Sequence, residues 1–347
     1  MKAAIFGGKG IVNIGERPDP VIRESTDAIV RVVRSCVCGS DLWYYRGLSP
    51  RTAGGPIGHE FIGIVDKVGK DVKNIADGDF VISPFTYNDG TCINCKKGWQ
   101  ANCIHGGVYG TGYVDGGQGE MVRVPLADGT LVRVKQTGFS EEKLRSMLAL
   151  SDVMCTGHHA AVSAGVKEGD TVAVVGDGAV GLCAVIASKR LGAKRIISIS
   201  RNPSRQKLAR EFGATDIVPE RGDAAIQKVL ELTDGFGADA AMECVGTGES
   251  MNTAFGIARV GAVVGAVGVP HEVRVPIETA IFRNVGLRGG IAPARKYIPE
   301  LLDDALSGRI NPGRVFDMQT DLEHIADAYK AMDERRAVKA ILNISDI

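Results

Sequence analysis

The chain has 347 residues, 44% of them hydrophobic and 24% charged, which is ordinary for a folded globular protein of about two domains. Its 41 basic and 41 acidic side chains balance, so no charge surplus favours nucleic acid or an anionic membrane as a partner. Residues 1–20 lack a basic start followed by an apolar run, and no apolar stretch approaches the ~20 residues of a membrane span, so we expect a cytoplasmic protein.

The first 150 residues predict an irregular β-rich domain. Short alternating or β-branched runs, such as 28–33 and 61–65, are separated by glycines and are typical of strands. The eight cysteines of the chain, without a secretion signal, favour reduced thiols and metal ligands over disulfides.

One group of metal-binding residue types in this region predicts a catalytic zinc site. Cys38 and His59 offer a thiolate and an imidazole, and Glu60 places a carboxylate beside the imidazole. Asp152 is the candidate for a third ligand, and three protein ligands leave one position of a zinc tetrahedron open for substrate. Glu60 would approach the metal from behind or replace a ligand during turnover. The adjacent pair 158–159, two histidines, is not expected to bind metal because neighbouring side chains point apart.

A second group predicts a structural zinc site. Asp89, Cys92, Cys95 and Cys103 supply four ligands from one loop, which closes the tetrahedron and leaves no position for substrate. His105 is an alternative fourth ligand. Unmetallated cysteines in a loop remain the other interpretation, because the fourth ligand is not sulfur.

From about residue 170 the pattern changes to alternating strands and helices, which predicts a parallel sheet with helices on both faces. A proline opens the second of these helices, at a position that helices tolerate. The tail from 297 reads as helices followed by a closing strand at 340–344. We expect strands at 171–176, 195–200, 238–245, 261–267 and 285–289, and helices at 179–191 and 203–212.

A glycine motif lies where the first of these strands turns into a helix. Gly176 permits the tight turn, Gly178 lets the backbone approach a pyrophosphate, and Gly181 lets helix and strand pack closely. Ala179 and Val180 begin the helix, whose free N–H groups favour a phosphate. Because both flanks fit, the motif predicts a dinucleotide-binding loop.

The end of the next strand indicates which dinucleotide is bound. The residue there is acidic in NAD-binding proteins, but Ser200 stands in its place. Serine can donate to a ribose 2′-phosphate, and Arg201 and Arg205 can neutralise it, so we expect NADP, with NAD possible. Val245 and Val267, at the ends of later strands, complete the predicted cofactor-binding residues.

Together these motifs resemble the zinc-dependent medium-chain alcohol dehydrogenase family, and their pattern is most similar to bacterial NADP-dependent secondary-alcohol dehydrogenases. The resemblance covers essentially the whole chain. It implies an α/β protein with a doubly wound parallel Rossmann sheet and a second, β-rich GroES-like domain. The GroES-like domain would comprise 1–153 and 294–347, and the Rossmann domain 154–293.

The resemblance also implies roles for further residues. Ser40 matches the hydroxyl that bonds the substrate oxygen, and Asp41 matches the carboxylate that orients the zinc histidine. Phe85 falls at an aromatic pocket wall, and Lys339 where a basic side chain reaches the pyrophosphate. Trp43 stands where many members have the histidine that ends a proton relay.

We therefore expect hydride transfer between NADP(H) and a primary or secondary alcohol, aldehyde or ketone, in a chain that holds two zinc ions. The resemblance implies a homodimer or homotetramer. A polyol or sugar dehydrogenase is an alternative, since residues 43–46 could form a polar-rimmed pocket, and Arg46 or Arg51 could hold a phosphorylated substrate. A zinc-free quinone reductase or a non-catalytic NADPH-binding protein is a further alternative, which the presence of the ligand set disfavours.

Overall fold

The computed structural model describes residues 1–111 and 114–347. Its strands, in chain order, are β1 (Lys2–Gly8), β2 (Ile11–Glu16), β3 (Ala28–Cys36), β4 (Phe61–Val68), β5 (Phe80–Ser83), β6 (Thr86–Tyr87), β7 (Gly107–Val108), β8 (Met121–Val124), β9 (Val132–Val134), β10 (Thr171–Val175), β11 (Arg195–Ile199), β12 (Asp216–Val218), β13 (Ala238–Glu243), β14 (Ala258–Ala266), β15 (Gly286–Gly289), β16 (Phe316–Asp321) and β17 (Lys339–Asn343). Its helices are α1 (Asp41–Tyr45), α2 (Ile93–Lys96), α3 (Ala127–Thr130), α4 (Glu141–Leu150), α5 (Val153–Ala164), α6 (Ala179–Arg190), α7 (Pro203–Phe212), α8 (Gly222–Leu232), α9 (Gly248–Ile257), α10 (Ile277–Phe282), α11 (Ala294–Leu306) and α12 (Ile325–Asp333).

The chain divides into two compact units. Unit 1 comprises Met1–Asp152 and Pro293–Ile347, and unit 2 comprises Val153–Ala292. The domain boundaries expected from the sequence lie one residue further along the chain at both junctions. Among the described residues, no helix is both long and apolar enough to cross a membrane.

Unit 2 is built on a six-stranded sheet with the strand order β12-β11-β10-β13-β14-β15. Every neighbouring pair in it is parallel. This is the 3-2-1-4-5-6 order of a doubly wound dinucleotide-binding fold, in which ligands bind where the order reverses, here at the carboxyl ends of β10 and β13. The predicted parallel sheet is therefore confirmed.

The apolar residues of unit 2 explain this sheet. Alternate strand residues such as Ala173, Ile197 and Val264 are buried with apolar side chains of α8 and α9 in one core. Strand and helix bounds agree with the sequence to within a few residues, and α7 begins at Pro203, as expected. The sequence reasoning missed β12 and the helices α8, α9 and α10.

Unit 1 is rich in β-structure. One sheet runs β16-β17-β3-β4-β5-β9, with β8 also pairing with β3, and only the pairing of β16 with β17 is parallel. The antiparallel pairs β1–β2 and β6–β7 form two small separate sheets. Strands from both ends of the chain thus meet at β3, which is why the closing strand β17 belongs to this unit.

Candidate functional site

The pairing of β3 with β4 brings the first candidate ligands together. Ser35, near the end of β3, lies opposite Phe61, the first residue of β4. Cys38 follows β3 and His59 precedes β4, so the antiparallel register puts their side chains at the same edge of the sheet. Gly58 has a φ of +90°, and a side chain there would collide with Gln118, so glycine is required at the turn into this edge.

The four residues predicted for the catalytic metal form one buried cluster. One donor atom from each of Cys38, His59, Glu60 and Asp152 lies within 4.8 Å of all the others. The Asp152 carboxylate Oδ2 lies 3.5 Å from His59 Nε2 and 3.7 Å from Cys38 Sγ. The structure therefore brings a cysteine sulfur, an imidazole and two carboxyl groups to one point.

A buried network holds His59 from behind. Asp41, with no exposed surface, lies 3.4 Å from His59 Nδ1 and accepts hydrogen bonds from the Tyr44 hydroxyl, at 2.5 Å, and from the Cys38 backbone N–H, at 3.0 Å. Burial raises the pKa of Asp41, but the His59 charge and these hydrogen bonds outweigh it and lower that pKa to about 2. Asp41 is therefore an anion that orients the imidazole, with Nε2 directed at the cluster.

The network extends beyond Asp41. Gln118 is fully buried and donates from Nε2 to Asp41 Oδ2 and to the Cys36 carbonyl, at 3.3 and 2.9 Å. Its Oε1 accepts a hydrogen bond from the hydroxyl of Tyr329, which lies on α12. Sequence reasoning missed Gln118, Tyr329 and the role of Tyr44, because no motif links residues so far apart in the chain.

Lys339 has a buried partner that the sequence did not suggest. Its ammonium is buried and donates to Glu60 Oε1 at 2.6 Å and to the Val37 carbonyl at 3.2 Å. The cause is the sheet: Lys339 begins β17, which pairs with β3 beside the metal cluster. The structure thus adds a buried ion pair with Glu60, and contact of this amine with a pyrophosphate stays a prediction.

The cluster fits a divalent cation. Glu60 Oε2 is buried and has no hydrogen-bond partner within the described part of the chain, so an acceptor there remains for a ligand. Burial, together with the negative charges of Glu60 and Asp152, raises the pKa of Cys38. A bound cation would offset both the burial and the mutual repulsion. One thiolate, one imidazole and carboxylate oxygen form a donor set that suits zinc.

Two other predicted residues lie near this cluster. Ser40 Oγ is 3.5 Å from His59 Nε2, and the Phe85 ring meets the imidazole edge-on, with 6.4 Å between centroids. Trp43 lies on α1, half-buried. A hydroxyl and an aromatic wall thus border the cluster, while the predicted ligands themselves remain buried.

The second predicted metal group also comes together, in the loop between β6 and β7. One donor atom from each of Asp89, Cys92, Cys95 and Cys103 lies within 4.8 Å of the rest. Asp89 Oδ1 accepts the backbone N–H of Cys92 at 2.9 Å, so the carboxylate is fixed at the start of α2. The exposed His105 contacts Asp89 Oδ2 through Nδ1 at 2.6 Å, which positions it behind Asp89.

The glycine loop of unit 2 follows β10 and leads into α6. Gly176 has a φ of +119°, and a side chain at Gly181 would lie 2.0 Å from the Gly176 carbonyl oxygen, so both positions require glycine. At Gly178, the N-cap of α6, an added Cβ would meet no heavy atom within 4 Å. The loop therefore leaves open backbone at a helix N-terminus, a site that fits a pyrophosphate. Ala179 and Val180 form the first turn of α6.

The residues predicted to select the cofactor have partners that the sequence did not suggest. Ser200 Oγ donates to Asp177 Oδ2 at 2.8 Å, and Arg205 lies 3.2 Å from Asp177 Oδ1. Asp177 lies between Gly176 and Gly178 in the glycine loop. Arg201, the third predicted residue, is exposed. Val245 and Val267 follow β13 and β14 at the same edge of the sheet as the loop.

Two family models match this chain. The alcohol dehydrogenase GroES-like domain matches residues 24–138, and the zinc-binding dehydrogenase domain matches residues 179–307. The chain belongs to the zinc-dependent medium-chain alcohol dehydrogenase family. As a member of that family, the chain is an oxidoreductase.

Relatives of this chain span nearly its whole length. Zinc-type alcohol dehydrogenase B of Aspergillus flavus is 34% identical over 100% of this chain and 82% of its own length. The structure of the alcohol dehydrogenase TADH from Thermus sp. ATN1 is 33% identical, with a TM-score of 0.92 over 99% of this chain and 100% of that chain. A putative zinc-binding dehydrogenase from Sinorhizobium meliloti, solved bound to NADP, is 26% identical, with a TM-score of 0.83 over 99% of this chain and 98% of that chain.

Proposed function

We propose that this chain catalyses reversible hydride transfer between a nicotinamide dinucleotide and a primary or secondary alcohol, with the corresponding aldehyde or ketone as the other partner. The observation that carries the proposal is the buried cluster of Cys38, His59, Glu60 and Asp152 in a chain that also has an open glycine loop at the start of α6. When bound, zinc supplies a Lewis acid and the dinucleotide supplies a hydride acceptor or donor.

The residues around the cluster have separate tasks. Cys38, His59 and Asp152 would hold the metal through three donors, and the fourth position stays free for the substrate oxygen. Asp41 fixes the direction of the His59 imidazole. Lys339 donates to Glu60 at 2.6 Å, so as an ion pair the two residues add no net charge to the cluster.

Ser40 is the residue that we propose moves the proton. Its hydroxyl lies 3.5 Å from His59 Nε2, at the border of the cluster, where a substrate hydroxyl would be within hydrogen-bond reach. In the oxidation direction Ser40 accepts the alcohol proton and passes its own proton on; in reduction it donates. Since Trp43 cannot accept that proton, we propose that water takes it from Ser40.

The second zinc site is part of the proposal. Asp89, Cys92, Cys95 and Cys103 would close a tetrahedron, so this ion would stabilise the loop between β6 and β7 and take no part in the reaction. The Asp89 carboxylate is also held by His105, whose Nδ1 lies 2.6 Å from Asp89 Oδ2, and this supports Asp89 as a ligand. Two zinc ions per chain are therefore proposed.

The polyol and phosphorylated-substrate alternatives receive less support. Arg46 Nε donates to Asp333 at 2.6 Å, Arg51 donates to the carbonyls of Pro56 and Gly110, and the Tyr44 hydroxyl donates to Asp41. These polar groups already have protein partners, so they are not free to form the rim of a sugar pocket. A zinc-free activity would leave the buried donor cluster without a cation to offset its charges.

We also propose that the chain forms a homo-oligomer. β15 is an edge strand of the unit 2 sheet, and apolar side chains near it are exposed, among them Ile281 at 64%, Phe282 at 84% and Leu287 at 43%. Exposed apolar surface beside an unpaired edge favours pairing with a second copy. Light scattering of the purified protein gives the mass that tests this.

Initial rates on zinc-loaded protein test the proposed function. The panel contains primary and secondary alcohols, aldehydes, ketones and polyols, each measured with NAD(H) and with NADP(H). We expect turnover of simple alcohols or carbonyls that a chelator abolishes and added zinc restores. Turnover limited to polyols would favour the alternative substrate class, and turnover that survives verified zinc removal would refute the proposed mechanism.

A further inference from the structure

The dinucleotide loop contains a carboxylate at a variable position of the glycine motif. Asp177 lies between Gly176 and Gly178, and its side chain is 16% exposed. It reaches across to the end of β11, where Ser200 Oγ donates to its Oδ2 at 2.8 Å. Two neighbouring strands of the sheet are thus joined by this contact at their carboxyl ends.

The end of β11 is the position from which a Rossmann fold usually presents an acid to the adenosine ribose. Ser200 occupies that position, and because it is only 2% exposed its hydroxyl has little access to a bound ribose. The Asp177 carboxylate lies one hydrogen bond away from that serine. An acid is therefore present beside the ribose position, although it comes from the glycine loop and not from the strand end.

The charges around Asp177 decide which ribose fits. Arg205, 14% exposed, lies 3.2 Å from Asp177 Oδ1, so part of its positive charge is already balanced. Of the residues predicted to bind a 2′-phosphate, Ser200 and Arg205 both contact this carboxylate, and Arg201 is exposed to solvent. A dianionic 2′-phosphate would be repelled by the Asp177 carboxylate, whose charge solvent screens only weakly because the group is mostly buried. A ribose hydroxyl, by contrast, can donate a hydrogen bond to that carboxylate.

We propose that Asp177 accepts the hydrogen bond of the adenosine ribose hydroxyl and repels a 2′-phosphate, so that the chain binds NAD(H) in preference to NADP(H). The inference rests on the proposed function, in which a nicotinamide dinucleotide binds this loop. It reverses the cofactor preference predicted from the sequence, which considered the missing acid at Ser200 but not the acid two positions before Ala179. Asp177 is then a specificity-determining residue.

The test compares dissociation constants of NADH and NADPH, measured by the fluorescence change of the reduced nicotinamide on binding. Asp177→Asn keeps the shape and an acceptor for Ser200 but removes the charge. Asp170→Asn is the matched control, because Asp170 precedes β10 while Asp177 follows it, and so lies at the opposite end of the same strand. Asp177→Ser serves as a second variant if the first is unstable in circular dichroism.

We expect the wild-type protein to bind NADH about tenfold or more tightly than NADPH, and Asp177→Asn to shift that ratio towards NADPH by about tenfold or more. Asp170→Asn should leave the ratio within about twofold of wild type. Tighter binding of NADPH by the wild type, or a ratio that Asp177→Asn leaves unchanged, would overturn the inference. If the wild type binds neither dinucleotide, the proposed function fails, and the inference fails with it.

Discussion

The buried ion pair between Lys339 and Glu60 gives the largest stability effect that we expect from one side chain. The ammonium and the carboxylate are 1% and 0% exposed and 2.6 Å apart. Lys339→Met keeps much of the apolar stem but leaves the Glu60 charge buried without its partner and the Val37 carbonyl without this donor. Removing one member of a buried pair costs about 3–5 kcal/mol, so we expect the free energy of unfolding to fall by that amount.

Tryptophan fluorescence during urea unfolding measures this effect in the right part of the chain. Trp43 and Trp99 are the only tryptophans in the sequence, and both belong to unit 1, as the ion pair does. Wild type and variant are compared at equal zinc content. Lys2→Met is the control, because the Lys2–Glu323 pair is 53% exposed on both sides and, screened by solvent, is expected to contribute little to stability.

A double variant separates the charge effect from simple loss of packing. Lys339→Met combined with Glu60→Gln leaves no uncompensated ion, so it should be more stable than Lys339→Met alone by about 2 kcal/mol or more. A loss below about 1 kcal/mol for Lys339→Met would refute the reasoning. The same conclusion would follow if Glu60→Gln made the Lys339→Met protein less stable.

Three further predictions concern other contacts. Tyr44→Phe removes the hydrogen bond to Asp41 and should weaken zinc affinity about tenfold in a competition titration, with Tyr45→Phe as control. Cys103→Ser should lower the zinc content by one ion and the melting temperature, without abolishing turnover at low temperature. Arg195 lowers the pKa of Asp216, so this pair stabilises the fold above the unfolded pKa near 3.9 and the contribution is lost as pH falls through the folded pKa. Asp216→Asn should therefore lower the free energy of unfolding by roughly 1 kcal/mol at neutral pH. Below the folded pKa of Asp216 the substitution should have no effect, and thermal unfolding measured as a function of pH checks both results.

The sequence was informative where chemistry is local. The glycine spacing that ends at Gly181, and the loop that ends at Cys103, are set within a few residues, and the structure brings both groups together. The strand-helix alternation of unit 2 follows from apolar runs of characteristic length, and that sheet is confirmed. Short elements such as β12 were not predicted, because a pattern of three residues is too short to identify a strand.

What the sequence could not predict depends on contacts between distant segments. Lys339 lies beside Glu60 only because β17 pairs with β3, a register that no local pattern determines. Likewise, the contact of Asp177 with Ser200 requires β10 and β11 to be neighbours in the sheet. In both cases the residue type was visible in the sequence but its partner was not: the resemblance alone gave Lys339 a role, and Asp177 received none.

The most direct test of the central claim is turnover by His59→Ala, measured together with its zinc content and its dissociation constant for the reduced dinucleotide. His59 lies in unit 1 and the glycine loop in unit 2, so the substitution separates the metal chemistry from cofactor binding. We expect loss of one zinc ion, a fall in kcat of about a thousandfold or more, and dinucleotide binding within about twofold of wild type. Wild-type turnover in a variant verified to have lost that zinc would contradict the account.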